Sequence, residues 1–245
     1  MSKAVIVGAS AGIGRALAER LAAEGWSLVL SAREREDLDA VAADLRLRYN
    51  GSIRVIAADI SDEAFDPDAY LKNCLEGGPA DAFLLLAGAS DSADAAEAPD
   101  AAIQRLTRAN YTGPLRVLGA VAREFAKNER GTIVGFTSIA AHAPRRKNPI
   151  YASAKSGLES YLISLRHRFA DTPVLVQAVA LGYADTAMSF GKPLLLPAIS
   201  PERAARDIVE GLGRDRGLIF LPWWWRCVTL ALKLLPWPIY KKLDF

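Results

Sequence analysis

The stretch Ala4-Val-Ile-Val7-Gly8-Ala-Ser10-Ala-Gly12-Ile13-Gly14 decides how the rest of the chain is read. An apolar run too short for a helix ends at a glycine-rich turn, and an amphipathic pattern from Gly12 to Glu24 follows at once. Strand, turn and helix in that order let backbone N–H groups and a helix N-terminus face a pyrophosphate without a Cβ in the way. The candidate contacts are Gly8, Ser10, Gly12, Ile13 and Gly14. Three residues separate the first two glycines, unlike the spacing of the G-x-G-x-x-G fingerprint. A glycine-rich turn alone is also ordinary structural punctuation, so its meaning depends on what surrounds it.

Outward from this turn, short apolar runs alternate with amphipathic stretches, as expected when helices bury both faces of a parallel sheet. The runs predict strands over Ala4–Val7, Ser27–Ala32, Ile53–Ala58, Ala82–Ala87, Thr132–Thr137, Val174–Val179 and Leu218–Leu221. Helices are predicted over Gly12–Glu24, Glu34–Arg48, Glu63–Leu75, Pro99–Asn128, Pro149–Ala170 and Pro201–Gly213. The expected fold is α/β: a Rossmann-type, doubly wound, parallel seven-stranded sheet with helices on both faces, joined by right-handed crossovers. The Ala/Asp/Ser-rich stretch from Ala89 to Pro99 reads as a polar loop that could border an active site.

Length and composition fit one domain over residues 1–245, with 51% hydrophobic and 24% charged residues. A net charge of +2, with basic residues scattered among acidic ones, argues against a nucleic-acid partner. Cys74 and Cys227 lie far apart and lack metal-ligand spacing, so no disulfide framework and no metal site is expected. The N-terminus runs straight into a strand without a signal-peptide pattern. These features point to a reducing, cytoplasmic setting.

Tyr151 and Lys155 stand four apart in Tyr-Ala-Ser-Ala-Lys, on one face of a predicted helix, and Ser138 closes the fifth predicted strand. A phenol with a pKa of about 10 exchanges protons poorly at neutral pH unless nearby positive charge favours its anion. A lysine ammonium can supply that charge, and a serine hydroxyl can orient a carbonyl oxygen. Each residue alone has a structural reading, as a buried tyrosine, a surface lysine and a strand-closing serine. Together, behind a dinucleotide turn, they imply reversible carbonyl–alcohol chemistry. At the end of the second strand, Arg33 stands where a carboxylate would pair with a ribose 2′-hydroxyl, so NADP(H) is favoured over NAD(H); a solvated arginine at a helix start is the alternative.

The G-x-x-x-G-x-G turn combined with Ser138, Tyr151 and Lys155 resembles the short-chain dehydrogenase/reductase family over Lys3 to Leu221. Val7 stands where the family has threonine. The resemblance implies that Tyr151 is the general acid, that Lys155 lowers its pKa and binds the nicotinamide ribose, and that Asn110 interrupts its helix to support a proton relay. An asparagine before Tyr-Thr-Gly-Pro could equally mark a simple kink. The resemblance further places Asp59 and Ile60 near an adenine ring, Ala87 and Gly88 beside the cofactor, and Gly182 and Thr186 at the nicotinamide. An N-cap role for Ser61 and Asp62 is the local alternative at the first of these. The family's Asn-Asn-Ala-Gly is Leu85-Leu86-Ala87-Gly88 here, and its Pro-Gly is Leu181-Gly182. Membership also implies a homo-oligomer.

Arg145-Arg146-Lys147 places three cations just ahead of Tyr151, where an anionic substrate group could be attracted or the loop could simply be solvated. His142, in the same loop, reads as a substrate contact or a solvent-exposed side chain. The segment 222–245 carries Trp223-Trp224-Trp225, an apolar run broken by Lys233, then Pro236-Trp237-Pro238 and Lys241-Lys242. Its longest apolar run is too short to span a bilayer, which takes roughly 20 apolar residues. Tryptophans beside lysines suit a membrane interface or a lipid groove, or alternatively a sheet edge or subunit seam. Asn110-Tyr111-Thr112, Arg145-Arg146 and Pro238-Ile239-Tyr240-Lys241-Lys242-Leu243 are similar to decaprenylphosphoryl-ribose 2-keto-reductases of the same family. The substrate is therefore read as a small-molecule or lipid-linked carbonyl compound, with peripheral contact at the inner membrane face. A catalytically idle dinucleotide sensor is the alternative from another class.

Overall fold

The computed structural model describes residues 2–186 and 196–243. Seven strands form one sheet in the order β3-β2-β1-β4-β5-β6-β7, and every neighbouring pair is parallel. The strands are β1 (Lys3–Val7), β2 (Ser27–Ala32), β3 (Ile53–Ala57), β4 (Ala82–Leu85), β5 (Gly131–Ser138), β6 (Val174–Leu181) and β7 (Leu218–Leu221). Alternate side chains of β1 enter opposite cores, as the two-residue strand period requires: Ala4 and Ile6 pack with Leu17, Leu21 and Ile208, while Val5 and Val7 pack with Phe83, Phe125 and Leu158. The first core is covered by α1 (Gly12–Ala23), α2 (Arg35–Tyr49) and α7 (Pro201–Val209). The second is covered by α3 (Pro67–Cys74), α5 (Gly113–Asn128) and α6 (Pro149–Arg168).

Several element ends differ from expectation for local physical reasons. Strand β4 stops at Leu85, which pairs with Val7 and Gly135; Leu86 and Ala87 lie beyond the paired register. Helix α3 begins at Pro67 because the Asp66 carboxylate accepts from the N–H groups of Asp68 (2.9 Å) and Ala69 (3.1 Å). Ser61 and Asp62 are therefore not its cap. The single helix expected over Pro99–Asn128 is divided into α4 (Asp100–Thr107), a π turn over Arg108–Thr112, and α5. Pro114 lacks the N–H that would bond to the Asn110 carbonyl, so the regular ladder fails there. A Cβ on Gly113 would come within 2.4 Å of the Ile60 carbonyl oxygen, so glycine allows the π turn to press against the loop after β3. The tail folds into α8 (Trp225–Leu234) and a single turn, α9 (Trp237–Tyr240). No helix among the described residues is long and apolar enough to cross a membrane.

Sequence order along the sheet reverses between β1 and β4, and parallel α/β sheets bind ligands outside the strand ends at such a point. Gly8, Gly88, Ser138 and Gly182 each follow or close one of the four strands β1, β4, β5 and β6 at that end.

Candidate active site

Gly8 adopts φ +91°, and the N–H groups of Gly8 and Ala9 donate to the Ser31 carbonyl at 2.7 and 3.1 Å, which bends the chain sharply off β1. A Cβ on Gly14 would stand 1.9 Å from the Gly8 carbonyl oxygen, so only glycine lets α1 approach the strand this closely. The residue before α1, Ala11, offers no side-chain cap, and the first-turn N–H groups are left for an anion. Gly12, at φ +52°, lies against Thr186, whose Cγ2 would be 3.0 Å from an added Cβ. These features fit a dinucleotide pyrophosphate. Ser10 is half-buried in the turn, whereas the Ile13 side chain lies in the core, leaving its backbone as the group that can face a ligand. Arg33 is exposed, with no hydrogen bond or ion pair among the described residues, while neighbouring Arg35 pairs with Asp39 at 2.8 Å. Asp59 is exposed but engaged, accepting from the Ser61 N–H (2.9 Å) and hydroxyl (2.5 Å), and Ile60 is buried in the second core.

The candidate reactive side chains converge beyond the ends of β4 and β5. Lys155 is 4% exposed, and its Nζ donates to the Phe136 carbonyl at 3.1 Å and lies 5.8 Å from the Tyr151 ring centre. Burial lowers its pKa to about 8. Burial raises the Tyr151 phenol above its ordinary value, while hydrogen bonding to Ser138 and the positive charge of Arg145 act in the opposite sense. Sequence reasoning named Lys155 alone as the cation beside the phenol; Arg145 is a second positive charge that bears on it. The Ser138 oxygen also accepts from the Ala140 N–H at 3.2 Å. Asn110 is fully buried: its Nδ2 donates to the carbonyls of Ala89 (2.8 Å) and Leu106 (3.0 Å), and its Oδ1 accepts from the Ala89 N–H (3.1 Å). A Cβ on Gly88 would be 2.9 Å from Asn110 Oδ1 and 3.1 Å from Lys155 Nζ, so the three residues meet at one point.

Three features escaped sequence reasoning. Asp94, 5% exposed, accepts from the N–H groups of Ile150 (2.9 Å) and Tyr151 (3.0 Å), capping α6 from 56 residues away; Asn148, at the cap position itself, makes no such bond. Its only signal was its place in a loop expected near the site. Trp225 fills the space beside Gly182, its Nε1 standing 2.0 Å from where a Cβ would be, so this glycine is required by the tail as well as by any cofactor. His142 is buried, not solvent-exposed: its Nε2 is 2.9 Å from Glu159 and its Nδ1 is 3.3 Å from Lys233 Nζ.

A glycine cradle at the switch point of a parallel sheet, with serine, tyrosine and lysine gathered beside it, defines a dinucleotide-binding oxidoreductase. Residues 2–192 match the short chain dehydrogenase family, and the chain belongs to that family. It is 29% identical over 239 residues to an uncharacterized oxidoreductase of Mycobacterium tuberculosis, covering 98% of this chain and 96% of that one. It is also 29% identical over 228 residues to a very-long-chain 3-oxoacyl-CoA reductase of Podospora anserina, covering 90% and 67% of the two chains. Among solved structures, a short-chain dehydrogenase from Sphingobium yanoikuyae in complex with NADPH superposes with a TM-score of 0.83 at 26% identity, covering 100% of this chain and 97% of that one. Family membership supports carbonyl–alcohol redox chemistry on an NAD(P) cofactor.

Proposed function

We propose that the protein is an NADP(H)-dependent carbonyl–alcohol oxidoreductase in which Tyr151 exchanges a proton with the substrate oxygen. The observation that carries this reading is the environment of the phenol, which feels Ser138 and Arg145 and stands over Lys155 at the sheet end bearing the glycine cradle. When bound, the nicotinamide supplies or accepts a hydride. Gly8, Ser10, Gly12, Ile13 and Gly14 would hold the pyrophosphate, Arg33 the 2′-phosphate, and Asp59 and Ile60 the adenine side. Ala87, Gly88, Gly182 and Thr186 border the nicotinamide side.

In reduction, Ser138 orients the carbonyl oxygen and Tyr151 delivers its proton there; in oxidation the proton returns to the phenolate. Lys155, with its pKa at about 8, is still mainly protonated at pH 7 and stabilises the anion formed on Tyr151. Asn110 holds Ala89 against the π turn and so fixes Gly88 beside Lys155. The substrate reading is a lipid-linked carbonyl compound taken at a membrane surface. It is supported by a tail whose Trp223, Leu234 and Trp237 are 73%, 75% and 69% exposed amid Arg226, Lys233, Lys241 and Lys242.

Tyr151→Phe tests the central assignment. The variant should bind NADPH as the wild type does yet consume none with a panel of hydrophobic ketones, whereas wild-type turnover would remove Tyr151 as the acid. Vesicle co-sedimentation with anionic lipid should be lost in a Leu234→Glu/Trp237→Glu variant; retained binding would remove the membrane contact.

A further inference from the structure

A cavity of about 580 Å³ lies between the loop around Pro144 and helices α8 and α9, and no step of the proton chemistry uses it. Four cationic side chains, Arg145, Arg146, Lys233 and Lys241, line it together with Leu235 and Trp237, and no carboxylate is among its described lining residues. The walls come from distant parts of the chain and are fastened to each other. Arg146 donates to the Lys241 carbonyl at 3.0 Å, and the Tyr240 hydroxyl donates to the Pro144 carbonyl at 2.5 Å. Lys233 is held from behind by His142, which Glu159 fixes at 2.9 Å; Glu159 in turn accepts from Thr137 at 3.0 Å. Among the described residues Arg146 and Lys233 thus meet a carbonyl and an imidazole, which leave their positive charge uncancelled.

The cavity also adjoins the reacting groups. Arg145 lines it, donates to the Tyr183 hydroxyl at 3.4 Å, and is the same cation whose charge bears on the Tyr151 phenol. Arg145 and Leu232 are shared with a narrow cleft that reaches Ala140, Tyr183 and Trp225, beside the end of β5. A wall that is part cationic and part apolar discriminates by requiring both properties in one ligand. A simple phosphate gains nothing from Leu235 and Trp237, and a neutral hydrocarbon gains nothing from the cations.

We infer that this cavity is the subsite for an anionic amphiphile: the phosphate- or carboxylate-bearing, long-chain portion of the substrate. Its anion meets Arg146, Lys233 and Lys241, its chain runs along Leu235 and Trp237, and Arg145 joins the subsite to the carbonyl end. This deepens the lipid-linked reading above and rests on the oxidoreductase assignment only for its connection to turnover.

The test is calorimetric titration of the intact protein with dodecyl phosphate below its aggregation concentration, beside inorganic phosphate and dodecanol. Dodecyl phosphate should bind at least about tenfold more tightly than either control, and Arg146→Gln/Lys241→Gln should weaken it by about fivefold or more, with NADPH affinity unchanged as a sign of an intact fold. Equal affinity for dodecanol, or wild-type affinity in the double variant, overturns the subsite. If the double variant does not fold, salt decides on the wild type. Ionic contact requires binding to weaken severalfold between about 0.05 and 0.5 M salt, and a flat response overturns the inference. A protein that binds dodecyl phosphate as expected yet consumes no NADPH with any ketone supports the subsite and sinks the oxidoreductase reading instead.

Discussion

Replacing Asp94 by alanine removes the two carboxylate oxygens that accept from the N–H groups of Ile150 and Tyr151 in the first turn of α6, at a site where Asp94 is 5% exposed. Water reaches such a place poorly, so the donors lose their partners without full replacement. An unsatisfied buried donor costs about 1–3 kcal/mol; both bonds are only part-buried, so the lower half of that range applies to each, and the two donors together cost about 2–4 kcal/mol. For a chain of this size each kcal/mol lowers Tm by roughly 2–4 °C, so Asp94→Ala should melt about 4–16 °C below wild type. Asp94→Asn keeps one carbonyl acceptor and should fall between the two. Because Tyr151 is itself one of the capped residues, its turn should fray before the rest of the helix. Hydrogen exchange at the Ile150 and Tyr151 amides should accelerate, and turnover should drop with NADPH affinity retained. A variant that melts within about 1 °C of wild type with both amides still protected would refute the reasoning.

Other perturbations address separate parts of the site. Lys155 is charged below a pKa of about 8 and neutral above it, because burial lowers that pKa; carbonyl reduction should therefore decline as pH rises through about 8, and Lys155→Met should be slow at every pH with no such limb. A pH profile of the wild type that stays flat to pH 10 would contradict this. Arg33→Asp should weaken NADPH far more than NADH, by about tenfold or more for the loss of a charge-assisted contact, read by fluorescence titration; an unchanged preference would contradict the 2′-phosphate assignment. Gly182→Ala should displace Trp225, since the new Cβ would lie 2.0 Å from its Nε1. The damage should be much smaller in a Trp225→Ala background, and additive losses in the double-mutant cycle would show that the two do not touch.

How much of this was legible depends on how far apart the interacting residues lie. The seven strands could be read because buried parallel strands are continuous apolar runs, and the cradle because its glycines carry their own geometric demand within seven residues. The reactive pair could be read because i and i+4 share a helix face whatever the fold. The end of β4 could not, since Leu84-Leu85-Leu86-Ala87 is uniformly apolar and the strand stops where Val7 and Gly135 cease to pair with it, a property of the neighbours. Asp94 stands beside Asp91 in the same acidic loop, yet Asp91 turns to Arg105 and only Asp94 reaches α6. Nothing local separates them. The same holds for Gly182, whose proximity to a presumed cofactor pointed to one reason for a glycine while a tail tryptophan supplies another. Residues that perform the chemistry are constrained by the geometry of a single helix or turn, whereas those that hold it in place answer to contacts across the sheet. The tail shows the consequence: its amphipathic character was visible, but only the fold brings its lysines to Arg145 and Arg146, and so converts a surface feature into a candidate part of the site.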